Sequence, residues 1–340
     1  MVTGLFRNNC ERTFYQRLWF LLCHVNTVFH GITVIMMSFS TTKLTPVEIG
    51  SFIMNMLTVI HRYFLCRYSS QLGLVAQRLS SYTMKEDKGF VKQTYLLLCS
   101  CIGYSVISLV SSIFVLINSF KNSGNQNRFE ELLGADPNFV AVSLIMVSIN
   151  YMVCFAMPVN TFIIYYVSVC HDIELLFQEY TTRMLSQSVP DYQCLTKRYN
   201  HLRNLVLEVD KHINCIVFWA ALSNLFSLYF TIAGMMASTS MLKGESVCII
   251  TAVVYNTFMF FLMCLWADRV SCSASSVAHA AHFLRGNSIS SVMHIRYILA
   301  VSQDVHMSVW GLFPLRKSFV FASIGTMITY SVLIKDIIKQ

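Results

Sequence analysis

Charge is scarce in this chain. Asp, Glu, Lys and Arg together make up 12% of its 340 residues, about half the share of a soluble domain. An ordinary water-soluble domain is thereby excluded, because the uncharged runs reach the length that crosses a bilayer. Strands of alternating hydrophobicity are missing as well, which excludes a membrane β-barrel. No Asn-x-Ser/Thr sequon occurs, so the outer face is expected to carry no Asn-linked glycan. No internal repeat is visible, which leaves an inverted-repeat transporter without support. The ten histidines are scattered from His24 to His306, and no acid, base or metal-ligating residues converge in the sequence. An enzyme, a metal centre and a bound cofactor are therefore not expected.

What is present is apolar. Hydrophobic residues make up 55% of the chain. A hydrocarbon core of about 30 Å needs about 20 helical residues at roughly 1.5 Å each. Seven stretches meet or approach that length: 18–39, 49–65, 93–120, 138–169, 213–241, 246–267 and 318–334. The second and the last are short and need flanking residues. Backbone groups in lipid must be satisfied within their own segment, so these stretches are helices. The first is longer than the roughly 7–15-residue core of a signal peptide and lacks a small-residue cleavage site, so it reads as span one. The expected fold class is all-α: a single polytopic domain over residues 1–340 with seven transmembrane helices.

The basic residues set the orientation. With residues 1–17 in the cytoplasm, nineteen of the 25 Lys and Arg residues fall on the inner side. The outer side then carries only Lys43, Lys121, Arg128, Lys243, Lys335 and Lys339, and the C-terminus lies outside. The net charge of +8 thus reads as topology and not as nucleic-acid binding. The twelve cysteines fall in spans or on the inner side, with Cys248 at the membrane edge, so a disulfide framework is not expected. The inner connections 170–211 and 268–317 are long and patterned. Ile173, Leu175, Leu176, Tyr180, Met184, Leu202, Leu205, Val206 and Val209 recur at helical spacing in the first, and Val277, Ala280, Ala281, Leu284, Val292, Ile295, Ile298 and Val301 in the second. Such spacing among charges predicts membrane helices that continue below the bilayer and pack together.

Three local features bear on function. His279 and His282 have helical spacing but no acidic partner beside them, so they read as the polar face of an amphipathic helix. Asp268-Arg269-Val270 reads as the charged stop at the inner end of span six. Ser111 and Ser112, Asn150 and Tyr151, Ser227 and Tyr229, and Tyr255 and Asn256 share a depth in the outer halves of spans three to six. Aromatic walls with a few polar groups are what a pocket between bundle helices uses. Taken singly, each residue is better explained by an interhelical hydrogen bond of about 0.6–2 kcal/mol, and only their shared depth raises the pocket reading.

The last span follows Gly311-Leu312-Phe313 and the basic doublet Arg316-Lys317. Gly325 and Thr329 form a small-xxx-small pair, which permits close helix packing. Thr326, Thr329 or Tyr330, Leu333, Asp336 or Ile337, and Gln340 fall on one helical stripe. Four copies of this helix around an axis would bring the Asp336 carboxylates into an acidic ring, which favours cations, and Leu333 or Ile337 would supply a hydrophobic constriction. Lys335 and Lys339 lie about 100° away or on the next turn and would weaken that field if they also faced the axis.

This segment resembles the C-terminal signature of insect gustatory receptors: a glycine-phenylalanine step, then Thr-Tyr, five mostly apolar residues, and usually Gln-Phe. Thr329 and Tyr330 match, whereas Asp336 and Ile337 replace the Gln-Phe pair. The resemblance implies a tetrameric ligand-gated cation channel, homomeric or with other receptor subunits, in the plasma membrane of sensory neurons. Span seven would line the pore, with Thr329, Tyr330, Leu333, Asp336 and Ile337 as pore or gate residues. The inner parts of spans four to seven would form the anchor between subunits. Each subunit would hold a small-molecule tastant in an outward-opening pocket lined by Ser111, Asn150, Tyr151, Tyr229, Tyr255 and Asn256. Membrane lipid is the other expected partner. Sugar-sensing relatives carry Glu after Thr-Tyr, where this chain has Ser331, so the resemblance implies the group that detects bitter or other non-sugar tastants. Insect odorant receptors, which share the topology but usually have Ser-Tyr, are the nearest alternative. A seven-helix receptor that couples to a cytoplasmic protein without conducting is a further one.

Overall fold

Three long helices carry the core, and all three bury residues at alternating steps of three and four. The computed structural model describes Val25 and residues 46–82, 88–122, 157–187, 189–237, 243–284 and 291–338. The described elements are α1 (Pro46–Arg67), α2 (Ser69–Tyr82), α3 (Lys88–Asn122), α4 (Met157–Leu185), α5 (Tyr192–Ala237), α6 (Lys243–Ala281), α7 (Ser291–Val301) and α8 (Lys317–Ile338). A short antiparallel hairpin, β1 (Ser308–Val309) with β2 (Phe313–Pro314), joins α7 to α8. On α4 the buried series is Ile163, Tyr166, Cys170, Ile173, Phe177, Tyr180 and Met184. On α5 it is Tyr199, Leu202, Val206, Val209, Ile213, Ile216 and Ala220, and on α6 it is Phe260, Met263, Ala267, Val270, Ala274, Val277 and Ala281. A strict 3.5-residue repeat keeps one seam facing its partners and imposes left-handed supercoiling. Alanine returns every seventh residue on α6, at 267, 274 and 281. These small residues let α6 approach α4, its most extensive neighbour.

The seams run through the predicted inner edge of the bilayer without a break. α4 continues to Leu185, well past the end of predicted span four at residue 169, and α5 begins at Tyr192, well before predicted span five at 213. Asp191 starts α5: its Oδ1 accepts the amides of Gln193 and Cys194, each at 3.1 Å, as an N-cap does. Among the described residues, segments of three helices are long and apolar enough to cross a membrane: Gly89–Ser111, Tyr192–Ile232 and Ile250–Ala281. The protein is an all-α, multi-pass membrane fold.

The shorter helices pack on this frame. α2 buries Leu72, Val75 and Leu79, and the Tyr165 hydroxyl of α4 donates to the Leu72 carbonyl at 2.8 Å. α7 is fixed by a buried hydroxyl chain. Tyr297 Oη lies 2.9 Å from Tyr180 Oη, which donates to the Leu195 carbonyl at 3.1 Å, while the Tyr199 hydroxyl reaches the Val301 carbonyl at 3.3 Å. This chain turns α7 so that Tyr297 and Val301 face inward. Val292 and Ile295, expected on the inward stripe, are exposed instead. A buried phenol with a partner for its hydroxyl takes the place that apolar periodicity assigned to isoleucine.

Candidate functional site

At mid-depth, α3 and α6 meet through two tyrosines. The rings of Tyr104 and Tyr255 stack with centroids 3.9 Å apart and planes 7° from parallel. Tyr104 is eleven residues past the start of predicted span three, and Tyr255 twelve before the end of predicted span six. At 1.5 Å per residue both lie about 17 Å from the inner edge, as antiparallel neighbours must. The Tyr255 hydroxyl sits beside the Cys101 thiol on α3. One residue on, Asn256 donates through Nδ2 to Ser227 Oγ on α5 at 2.8 Å. A stacked aromatic wall and a hydrogen-bonded amide therefore adjoin at the junction of α3, α5 and α6.

Of the predicted pocket residues, Tyr255, Asn256 and Ser227 come together here. Ser111 is half-buried on α3, on the face of Tyr104 two turns further along the helix. Buried Ser108 lies between them. Tyr229 is half-buried on α5, with its ring against Phe230 at 5.3 Å. Asn150 and Tyr151 lie outside the described residues, and Ser112 lies in α3 with an undescribed side chain. Tyr104 is the stacking partner that periodicity missed. A second buried polar position was missed on α1. His61 is fully buried with its ring edge-on to Phe162 at 5.7 Å, and neither ring nitrogen meets a protein partner among the described residues.

Among the described residues, α8 touches the bundle along a narrow stripe. Val320 and Met327 are buried, and Ser323 and Ile324 half-buried between them. Phe321, Ile328, Thr329 and Tyr330 are exposed. A Cβ added at Gly325 meets nothing within 4 Å, so among the described residues the Gly325–Thr329 pair makes no close helix contact. Both threonine hydroxyls turn back onto their own helix, Thr326 Oγ1 to the Ala322 carbonyl at 2.8 Å and Thr329 Oγ1 to the Gly325 carbonyl at 2.9 Å. The hydroxyls are satisfied there, and no other described element packs on this exposed face. Leu333, Asp336 and Ile337 continue α8, with their side chains outside the described set.

At the inner end a clasp ties α8 to α5 and α6. Lys317 Nζ lies 3.4 Å from Asp268 Oδ2 on α6, and Arg316 reaches Asp304 at 3.4 Å. Cations at a helix N-terminus oppose its dipole, and these carboxylates compensate the first turn of α8. Asp268 is thus more than a charged stop: it is buried and bridges two helices. On α5, Asp210 holds the hairpin, accepting the Ser308 amide at 2.7 Å and the Ser308 hydroxyl. Arg269 stacks over Trp266 at 4.5 Å and approaches Glu174 at 3.6 Å. Burial raises the Glu174 carboxyl above its usual range, with Arg269 opposing. Burial alone raises Asp172 to about 6. His279 and His282 are both exposed, and no metal-holding cluster occurs among the described residues.

The whole bundle is similar to solved receptors. The structure of the insect olfactory receptor OR5 from Machilis hrabei in complex with eugenol matches with a TM-score of 0.72, covering 97% of this chain and 92% of that one at 10% identity. A second structure of OR5 from Machilis hrabei matches at 0.69, covering 96% and 91% at 9% identity. The likeness is one of fold, and it runs nearly end to end. No protein-family pattern matches the sequence, and no curated relative does.

Proposed function

We propose that this protein is a chemoreceptor of the plasma membrane of sensory neurons, acting as a ligand-gated, non-selective cation channel built from four subunits. The observation that carries this reading is the near full-length likeness to an insect olfactory receptor solved with a small aromatic molecule, eugenol. The Thr329-Tyr330 signature and the face of α8 that the described residues leave exposed agree with it, since a pore-lining helix must leave one face unpacked within its own subunit. The ligand is a small organic molecule held near Tyr104, Tyr255 and Asn256. The signature in α8 favours a bitter or other non-sugar tastant. The olfactory neighbours favour a second reading, an odorant, with the same site and the same gate.

Whole-cell current in cells expressing the chain tests both. Bitter plant compounds, sugars and small aromatic volatiles are applied in turn, with surface expression verified. A cation current evoked by one class supports the channel and selects between taste and smell. Currents absent for every class, alone and with a co-receptor subunit, sink the channel reading. If Asp336 forms an acidic ring, Asp336→Asn lowers the permeability to divalent relative to monovalent cations several-fold and leaves surface expression intact. An unchanged ratio removes Asp336 from the pore.

A further inference from the structure

The hairpin before α8 turns its largest apolar side chains away from the protein. Trp310 is 50% exposed, Leu312 71% and Phe313 37%. Their height relative to the bilayer is fixed from three sides. The Trp310 amide donates to the Asn214 carbonyl at 3.3 Å, one residue inside predicted span five. Lys317, three residues past the hairpin, is paired with Asp268, one residue beyond predicted span six. α8 itself starts at Lys317. The tip of the hairpin therefore lies where three spans cross the inner edge.

Tryptophan at that level has a general meaning, because its ring favours the headgroup region. The chain has four tryptophans, at 19, 219, 266 and 310, and each lies near the predicted inner edge of a span. Trp219 stacks on Phe64 at 5.8 Å, and Trp266 is buried. Trp310 instead covers Phe218 at 4.7 Å with one side and leaves the other open. Its backbone is left-handed, with φ of 52°, followed by Gly311 at 69°. A bulky residue adopts that region only where its surroundings impose it, and here the result is a ring held outward. Arg316 and Lys317 flank the tip and keep much of their side chains exposed. Apolar and aromatic side chains beside half-free cations match a boundary where acyl chains meet anionic headgroups.

We propose that the hairpin 308–314 is an interfacial anchor. Trp310, Leu312 and Phe313 insert at the headgroup–acyl boundary of the inner leaflet, with Arg316 at the phosphates of anionic phospholipid. The test uses the full chain in nanodiscs of phosphatidylcholine and phosphatidylserine, with the phosphatidylcholine chains brominated near the headgroup. Wild type and Trp310→Phe are compared by tryptophan emission. The anchor requires a Trp310 component that brominated lipid quenches and aqueous iodide does not. A component quenched by iodide places the ring in water and overturns the proposal. A component untouched by both quenchers also overturns it, because another protein surface, such as a second copy, then covers the ring. If Trp310→Phe fails to fold, Leu312→Trp in the otherwise native chain adds a reporter at the most exposed tip position. Quenching of that reporter by brominated lipid alone supports the anchor, and any other pattern overturns it.

Discussion

Single side chains in this protein are governed by where they meet low dielectric. Asp172 lies on α4 just past predicted span four, and burial lifts its carboxyl to about 6 from an ordinary 3.8. Between those values the folded state holds a proton that the unfolded state has released, so stability falls as pH rises through the window and levels off above it. Asp172→Asn is therefore expected to raise the melting temperature at pH 7 more than at pH 5. Glu174, raised in the same direction, preserves a smaller slope of that sign. Equal shifts at both pH values would show that Asp172 is solvated. At the Tyr104–Tyr255 stack the interaction is aromatic. Such pairs contribute about 0.5–1.5 kcal/mol beyond area burial, so if the stack forms a ligand wall, Tyr255→Ala and Tyr104→Ala each move the half-maximal ligand concentration by up to about tenfold. Tyr255→Phe keeps the ring and most of the response. Unaltered dose–response curves with normal surface assembly would take both rings out of the site.

Elements hold together here by period. On α6 the alanines at 267, 274 and 281 sit in the buried seam, and α4 lies against them. Ala274→Leu adds three heavy atoms at a buried position of that seam, at a cost of about 1–3 kcal/mol. Ser276→Leu, on the exposed face, stays within about 0.5 kcal/mol. Thermal melting of the two variants in one detergent checks the contrast, and similar melting would mean that the seam is loosely packed. Much of this packing is readable in advance. Ile173, Met184, Leu202, Val206, Val209, Val277 and Ala281 point inward as their spacing requires. The alanine heptad is less visible because serine and cysteine surround it, and small residues carry little apolar signal. α7 misleads because Tyr297 is buried through a hydroxyl partner more than a hundred residues away in sequence. Tyr104 could not be paired with Tyr255 beforehand either. That contact depends on the antiparallel register of two helices each longer than 30 residues, which spacing within one helix does not determine.

For the whole molecule, α6 is the element that touches both ends of the proposed mechanism. It carries Tyr255 and Asn256 at mid-depth and Asp268 at the inner edge, about 20 Å away along one rigid helix. Phe260 lies between them and packs on Phe319 of α8, with ring centroids 5.9 Å apart. A ligand that prefers one arrangement of the α3–α6 junction therefore biases the position of α8 through a continuous set of contacts, as any coupling requires. The Lys317–Asp268 clasp is the polar part of that path. Lys317 is largely exposed and Asp268 buried, so the pair contributes at most about 1 kcal/mol. Removing the lysine leaves a buried carboxylate without its cation, and Lys317→Gln should disturb gating more than Asp268→Asn. If the clasp couples ligand to pore, each single substitution shifts the half-maximal concentration by up to about fivefold, and the double variant shifts it no further than Lys317→Gln alone. Additive shifts in that cycle would mean that the two residues act independently. The drive from α6 to the pore would then have to pass through Phe260 and Phe319, where Phe319→Ala becomes the substitution that uncouples ligand from current.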